Sequence, residues 1–118
     1  MTNSKYDLEE RTAKFAESII GIMKKVSLNT VNKPIISQLI RSSTSVGANY
    51  CEADDAESRL DFKHKIGICK KEARETKHWL RMLATSNPEI KEMLKPLWQE
   101  AKELNLIFNA ITNTTKRN

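Results

Sequence analysis

From Phe62 to Leu83 the chain repeats one pattern. Phe62, Ile66, Cys69, Ala73, Thr76, Leu80 and Leu83 return in alternating steps of four and three. Only an α-helix, turning once per about 3.6 residues, gathers such positions on one face, and the alternation is the seam of a helix packed on other helices. A strand cannot use it, because its side chains alternate faces at every residue. Three more segments carry the same rhythm: Leu8, Thr12, Phe15, Ile19, Ile22 and Val26; then Ile36, Leu39, Ser43, Val46, Tyr50 and Ala53; then Ile90, Leu94, Leu97, Ala101, Leu104, Phe108 and Ile111. The fold class that follows is all-α, an antiparallel up-down-up-down four-helix bundle with short connections.

Local signals set the expected bounds at about 5–26, 33–56, 59–84 and 88–113, within one domain over 1–118. Ser4 with Asp7 and Ser58 with Asp61 have capping-box spacing, with Asp in place of the usual Glu. Pro34 suits a first helical turn, where a missing N–H costs nothing, and Asn87-Pro88 reads as N-cap and first helical position. Pro96 predicts a kink or interruption near 93–95, and the polar tail 112–118 is expected to fray. Three glycines and three prolines are too few for the turns of an all-β domain.

The second segment sets propensity against pattern. Arg41-Ser-Ser-Thr-Ser-Val-Gly-Ala-Asn-Tyr50 contains four consecutive hydroxyl residues and a glycine, all poor helix formers. The seam nevertheless runs straight through it, with a small residue at its centre. Folding the second helix back on the third pairs Ile36 with Leu80, Leu39 with Thr76, Ser43 with Ala73, Val46 with Cys69, Tyr50 with Ile66 and Ala53 with Phe62, in step throughout. Small Ser43 against small Ala73 predicts a close crossing. The same register sets Arg41 opposite Glu75, with Glu72 one turn away, as a structural polar pair that fixes register.

Catalytic chemistry finds little support. Glu75-Thr76-Lys77-His78 is half of a di-iron bundle signature, which needs a second Glu-x-x-His that the chain lacks. Cys69 on the seam reads as a core residue, and Cys51 has only His64 as a candidate base. There is no glycine-rich phosphate loop, and two histidines do not furnish a Ser-His-Asp set. The expectation is a protein that is not an enzyme, with no cofactor and no metal. The polar N-terminus carries no signal-peptide pattern, and no apolar run approaches the roughly 20 residues of a membrane span, so a cytoplasmic location without membrane contact is expected. Cys51 and Cys69 would lie near each other across the central hairpin, and a cytosolic pair stays reduced.

The surface is more informative. Lys63, Lys70, Arg74, Lys77 and Arg81 share one stripe of the third helix, with Gly67 in the step between the first two and Lys71 and His78 widening it. With Lys+Arg 20 against Asp+Glu 15, and a pI near 9.3, such a face suits phosphates. The stripe itself holds no interleaved aromatics for base stacking. Acidic Glu52, Asp54, Asp55, Glu57 and Asp61 gather at the far end of the central hairpin. Ile40, Ile68, Trp79, Met82, Trp98 and Ile107 exceed what a narrow seam needs and predict a homo-oligomer.

The string Arg41 to Tyr50, with Glu52-Ala53, Ser58, Asp61-Phe62, Lys65, Lys71-Glu72-Ala73, Glu75-Thr76 and Trp79-Leu80, resembles one bacterial family: the four-helix-bundle proteins encoded in intervening sequences of 23S ribosomal RNA genes. The resemblance implies a small left-open bundle assembling as a homopentamer, akin to the accessory proteins of diversity-generating retroelements, which are thought to serve a reverse transcriptase and its template through a basic surface. It implies no catalytic residues. Asp54-Asp55 departs from the family pattern by being acidic, and Arg74, Lys77 and His78 by being more basic than usual. The expected function is therefore a non-enzymatic oligomer associated with RNA or another nucleic acid through the third helix. The alternative is an oligomeric adaptor for a protein partner, such as a reverse transcriptase, without nucleic-acid contact.

Overall fold

The computed structural model describes residues 7–117. Four helices run through them, α1 (Leu8–Met23), α2 (Asn32–Asp54), α3 (Arg59–Ser86) and α4 (Lys91–Arg117), with a short 3-10 turn at Pro88–Ile90. No strand occurs among the described residues. The 28 residues of α3 span about 42 Å at 1.5 Å per residue and account for most of the molecule's 47 Å length.

The seams form the core. Phe15, Ile19, Leu39, Val46, Ile66, Leu80, Leu83, Leu104 and Phe108 are almost wholly buried. The widest interfaces are α2 on α3 and α3 on α4, whereas α1 and α4 approach each other sparsely. The expected register of the central hairpin is visible where Cys69 Sγ donates to Val46 O at 3.5 Å. Thr76 Oγ1 and Ser42 Oγ, 2.9 Å apart in the interior, form a hydroxyl contact next to it.

The hydroxyl tract stays helical by satisfying itself. Thr44 Oγ1 donates to Ile40 O at 2.7 Å and Ser43 Oγ to the same carbonyl at 3.3 Å. Such back-bonding removes the unpaired polar atoms that would otherwise make this tract a poor core segment. The small residues then serve two neighbours. Ser42 meets Thr76 of α3, and Gly47 faces α1, where an added Cβ would lie 3.1 Å from Thr12 Oγ1.

Several ends differ from expectation. Asp7 caps α1, its carboxylate accepting from Glu10 N at 3.1 Å; Ser4 lies outside the described residues. The helix stops at Met23, short of Val26, because Lys25 and Val26 donate to carbonyls three residues back and tighten the turn. Met23 takes the buried place, and Ile22 and Val26 pack from the side. α2 opens on a reciprocal pair that the sequence reading missed. Asn29 Oδ1 accepts from Asn32 N at 2.8 Å, and Asn32 Oδ1 accepts from Asn29 N at 2.8 Å, the logic of a capping box carried by two asparagines.

Ser58 caps α3 by accepting from Asp61 N at 3.0 Å. Asn87 makes no such cap bond with its side chain; it is turned instead to Asn32 and Glu89. The expected interruption near 93–95 is absent, since α4 is continuous through exposed Pro96, which sits in the second turn and removes a single ladder bond. The irregular turn falls earlier, at Pro88–Ile90. The tail does not fray within the described residues, because α4 continues to Arg117.

Candidate nucleic-acid interface

At about 100° per residue, Lys63, Lys70, Arg74, Lys77 and Arg81 fall within about 60° of arc, roughly a quarter-turn from the buried seam of α3. That direction is the shoulder facing α4. Asn105 Nδ2 of α4 donates to Lys70 O at 2.8 Å, and Lys77 Nζ lies 5.2 Å from the Trp98 ring centroid. Arg74 and Arg81 are exposed, and Lys63, Lys70 and Lys77 are half-buried along their stems.

The basic residues separate into two populations. Arg11 grips Glu100 with both ends of its guanidinium, Nε to Oε2 and Nη2 to Oε1 each at 2.7 Å, and adds Glu103 at 3.0 Å. Those hydrogen bonds, Glu100 first, raise the Arg11 pKa against the cost of burial. Arg41 spans α3 by placing Nη1 3.0 Å from Glu72 Oε1 and Nη2 2.8 Å from Glu75 Oε1. Its desolvation is outweighed by the two carboxylates, so its pKa also rises. Lys65 holds Glu52 at 2.8 Å. By contrast, none of the five stripe cations forms an ion pair among the described residues. Paired cations are committed to the fold. The stripe is not.

α4 contributes what the stripe lacked. Trp98, 37% exposed, receives Lys77 from α3 and Lys102 from one turn along its own helix, the latter at 5.7 Å from the ring centroid. Beside it a cleft between the two helices is floored by Leu80, Ala84 and Leu94 and edged by Arg81, Lys91 and Lys95. Lys95 is held by Glu92 at 2.7 Å. At the other end of α3 a shallow depression involves Leu60, Lys63, His64, Gly67 and Lys71. Trp98 could have been found from sequence. Continuing the antiparallel register past the α3–α4 turn, from Leu80 opposite Leu94 to Ala73 opposite Ala101, sets Lys77 beside Trp98.

The other candidate chemistry is dispersed. Cys51 is exposed among Glu52, Asp55, Asp61 and Lys65, whereas His64 lines the depression elsewhere on α3. Cys69 is buried, no disulfide joins the two, and desolvation pushes the Cys69 thiol up to about 12. Among the described residues no three His, Cys, Asp or Glu side chains converge as a metal site, and no helix is long and apolar enough to cross a membrane. Of the surplus apolar residues, Ile40, Trp79 and Ile107 pack against the core, and Trp98 stays in part at the surface.

Comparison with family models and with solved structures finds relatives. A family model described as 23S rRNA-intervening sequence protein matches residues 4–112. A crystal structure of a protein of unknown function from the S23 ribosomal protein family of Bacteroides thetaiotaomicron is 32% identical, with a TM-score of 0.75, covering 88% of this chain and 96% of that one. A search of the curated proteins finds no match.

Proposed function

The chain belongs to the 23S rRNA-intervening sequence protein family, and from that premise we propose that it is a non-enzymatic, oligomeric, cytoplasmic protein that binds RNA through the α3–α4 face. One observation carries this reading: five cations share a surface with no carboxylate partner among the described residues, while Arg11, Arg41 and Lys65 are neutralised by carboxylates elsewhere. Unpaired cations in a row cost self-repulsion, which a phosphate chain relieves while its counterions are released. Assembly as a homopentamer, in keeping with the family resemblance, would repeat the face and multiply weak contacts.

Filter binding of RNA across salt concentrations tests it. If about five phosphates are neutralised, the logarithm of the association constant falls with the logarithm of salt at a slope of roughly −3 to −4. Reversing Arg74 and Arg81 to Glu should flatten that slope. Binding that ignores salt, or no binding, overturns the reading.

A second reading has its own support. Leu28, Val31, Leu60, Met93 and Leu106 are exposed, and apolar residues at a surface suit a partner protein. An oligomeric adaptor of that kind would retain a protein such as a reverse transcriptase and show no salt-dependent RNA binding.

A further inference from the structure

We infer that the α3–α4 groove is built for single-stranded nucleic acid, with one unpaired base stacked on Trp98 and its flanking phosphates held by Lys77, Lys102 and Arg81. The inference rests on the RNA-binding reading above and adds to it the kind of strand and the residue that selects it.

A cationic surface alone does not tell one polyanion from another, since phosphate contacts position a chain without reading it. An exposed aromatic ring among the cations changes that. Trp98 stands at the surface of α4 with 37% of its area free, and the ammonium groups of Lys77 and Lys102 hover 5.2 and 5.7 Å from its centroid. Neither lysine has a carboxylate partner among the described residues. Each therefore has a ring to rest on when the groove is empty and a phosphate to take when it is filled. Base stacking on an indole exceeds an exposed cation–π contact, so an arriving base displaces the lysines, and their charge is redirected to the backbone beside it.

The surroundings fit the same occupant. Leu80, Ala84 and Leu94 floor an apolar cleft next to the ring, and Arg81 and Lys91 stand at its edge. That combination of an apolar slot and rim cations matches the flat base and charged backbone of a nucleotide. A duplex keeps its bases stacked on one another and has none to offer the indole.

The test uses the full-length chain and three probes: a fluorescein-labelled single-stranded RNA of about 12 nucleotides, the same sequence as a duplex, and inorganic polyphosphate. The single strand is expected to bind best. Trp98→Leu, which keeps apolar bulk but removes the ring, should weaken single-strand binding about 10-fold and leave both the salt slope and polyphosphate binding unchanged. Trp98→Phe should recover most of the loss. In a Trp79→Phe background, where Trp98 is the remaining tryptophan, the single strand should quench its emission. Trp98→Leu binding like the parent with an intact salt slope overturns the stacking inference and leaves the RNA-binding reading standing. A duplex preferred over the single strand does the same. Absence of salt-dependent RNA binding in the parent overturns both.

Discussion

Gly47 of α2 is set so close to Thr12 of α1 that a Cβ at position 47 would lie 3.1 Å from Thr12 Oγ1 and 3.4 Å from Thr12 Cβ. Thr12 has little freedom to move, being buried with its hydroxyl donating to Leu8 O at 2.6 Å. Gly67 is also within a helix, α3, but an added Cβ there meets nothing within 4 Å. Replacing a mid-helix glycine by alanine gains about 0.5–1 kcal/mol from propensity. Gly67→Ala should therefore gain close to that amount. Gly47→Ala should gain nothing, the contact with Thr12 consuming the propensity term. Introduced together with Thr12→Ala, it should gain again. Urea denaturation of the four members of this cycle measures the coupling; equal gains at the two glycines would remove the case for a close crossing.

The polar bridge across the central hairpin is asymmetric. Glu72 is 5% exposed, whereas Arg41 and Glu75 have about half their side chains in water, at 48% and 40%. Solvent screens the outer contact, so Glu75→Gln should cost less than about 1 kcal/mol. Arg41→Ala leaves Glu72 buried with only Lys71 at 3.8 Å, and should cost about 1–3 kcal/mol, the penalty for an underpaired buried acceptor. Arg41→Ala and Glu75→Gln with equal losses in chemical denaturation would show that burial of Glu72 does not decide the cost.

Much of this was legible in the chain, and the omissions share a cause. The seams identify Leu39, Val46, Cys69, Ala73 and Leu80 as core because burial follows the helical period. Arg41 with Glu72 and Glu75 came from register arithmetic on one hairpin. The grip of Arg11 on Glu100 and Glu103 and the placing of Trp98 beside Lys77 need the same arithmetic on the other helix pairs. Ser42 is different. It lies beside the seam and is buried through contact with Thr76, a packing detail that periodicity does not encode. Asn32 lies one residue outside the expected 33–56 helix, whose start Pro34 marks, because its partners Ser27 and Asn87 are not encoded by the helical period.

Those partners make Asn32 a sensitive position. Fully buried, it donates from Nδ2 to Ser27 O at 3.0 Å and to Asn87 Oδ1 at 3.2 Å, tying the α1–α2 connection to the α3–α4 turn. Asn32→Ala should cost about 1–3 kcal/mol, since buried Asn87 Oδ1 and the part-buried Ser27 O and Asn29 N lose a partner at once. Asn87→Ala should cost less, because Asn32 keeps its bonds to Ser27 and Asn29. The pair should be non-additive by about 0.5–1.5 kcal/mol. Additivity within about 0.3 kcal/mol would mean that the two ends are anchored independently.

Cys69 gives the fold a dependence on alkaline pH. An unfolded cysteine ionises near 9.0, whereas desolvation in the core pushes Cys69 up to about 12. Above pH 9 the unfolded chain releases a proton that the folded chain retains, so the unfolded state gains. The contribution is intact below pH 9, falls at about 1.4 kcal/mol per pH unit, and is lost as pH passes the folded value. Desolvation, followed by the charge of Asp54, also raises Tyr50 above its ordinary 10.0, so its effect enters at higher pH. Between pH 7 and pH 10 the parent should therefore lose on the order of 1 kcal/mol through Cys69, and Cys69→Ala should lose that much less. A thiol reagent at neutral pH should modify exposed Cys51 and reach buried Cys69 only in denaturant. Rapid modification of both thiols in the native protein would contradict the burial of Cys69, and an unchanged pH slope in Cys69→Ala would assign the alkaline loss to other groups.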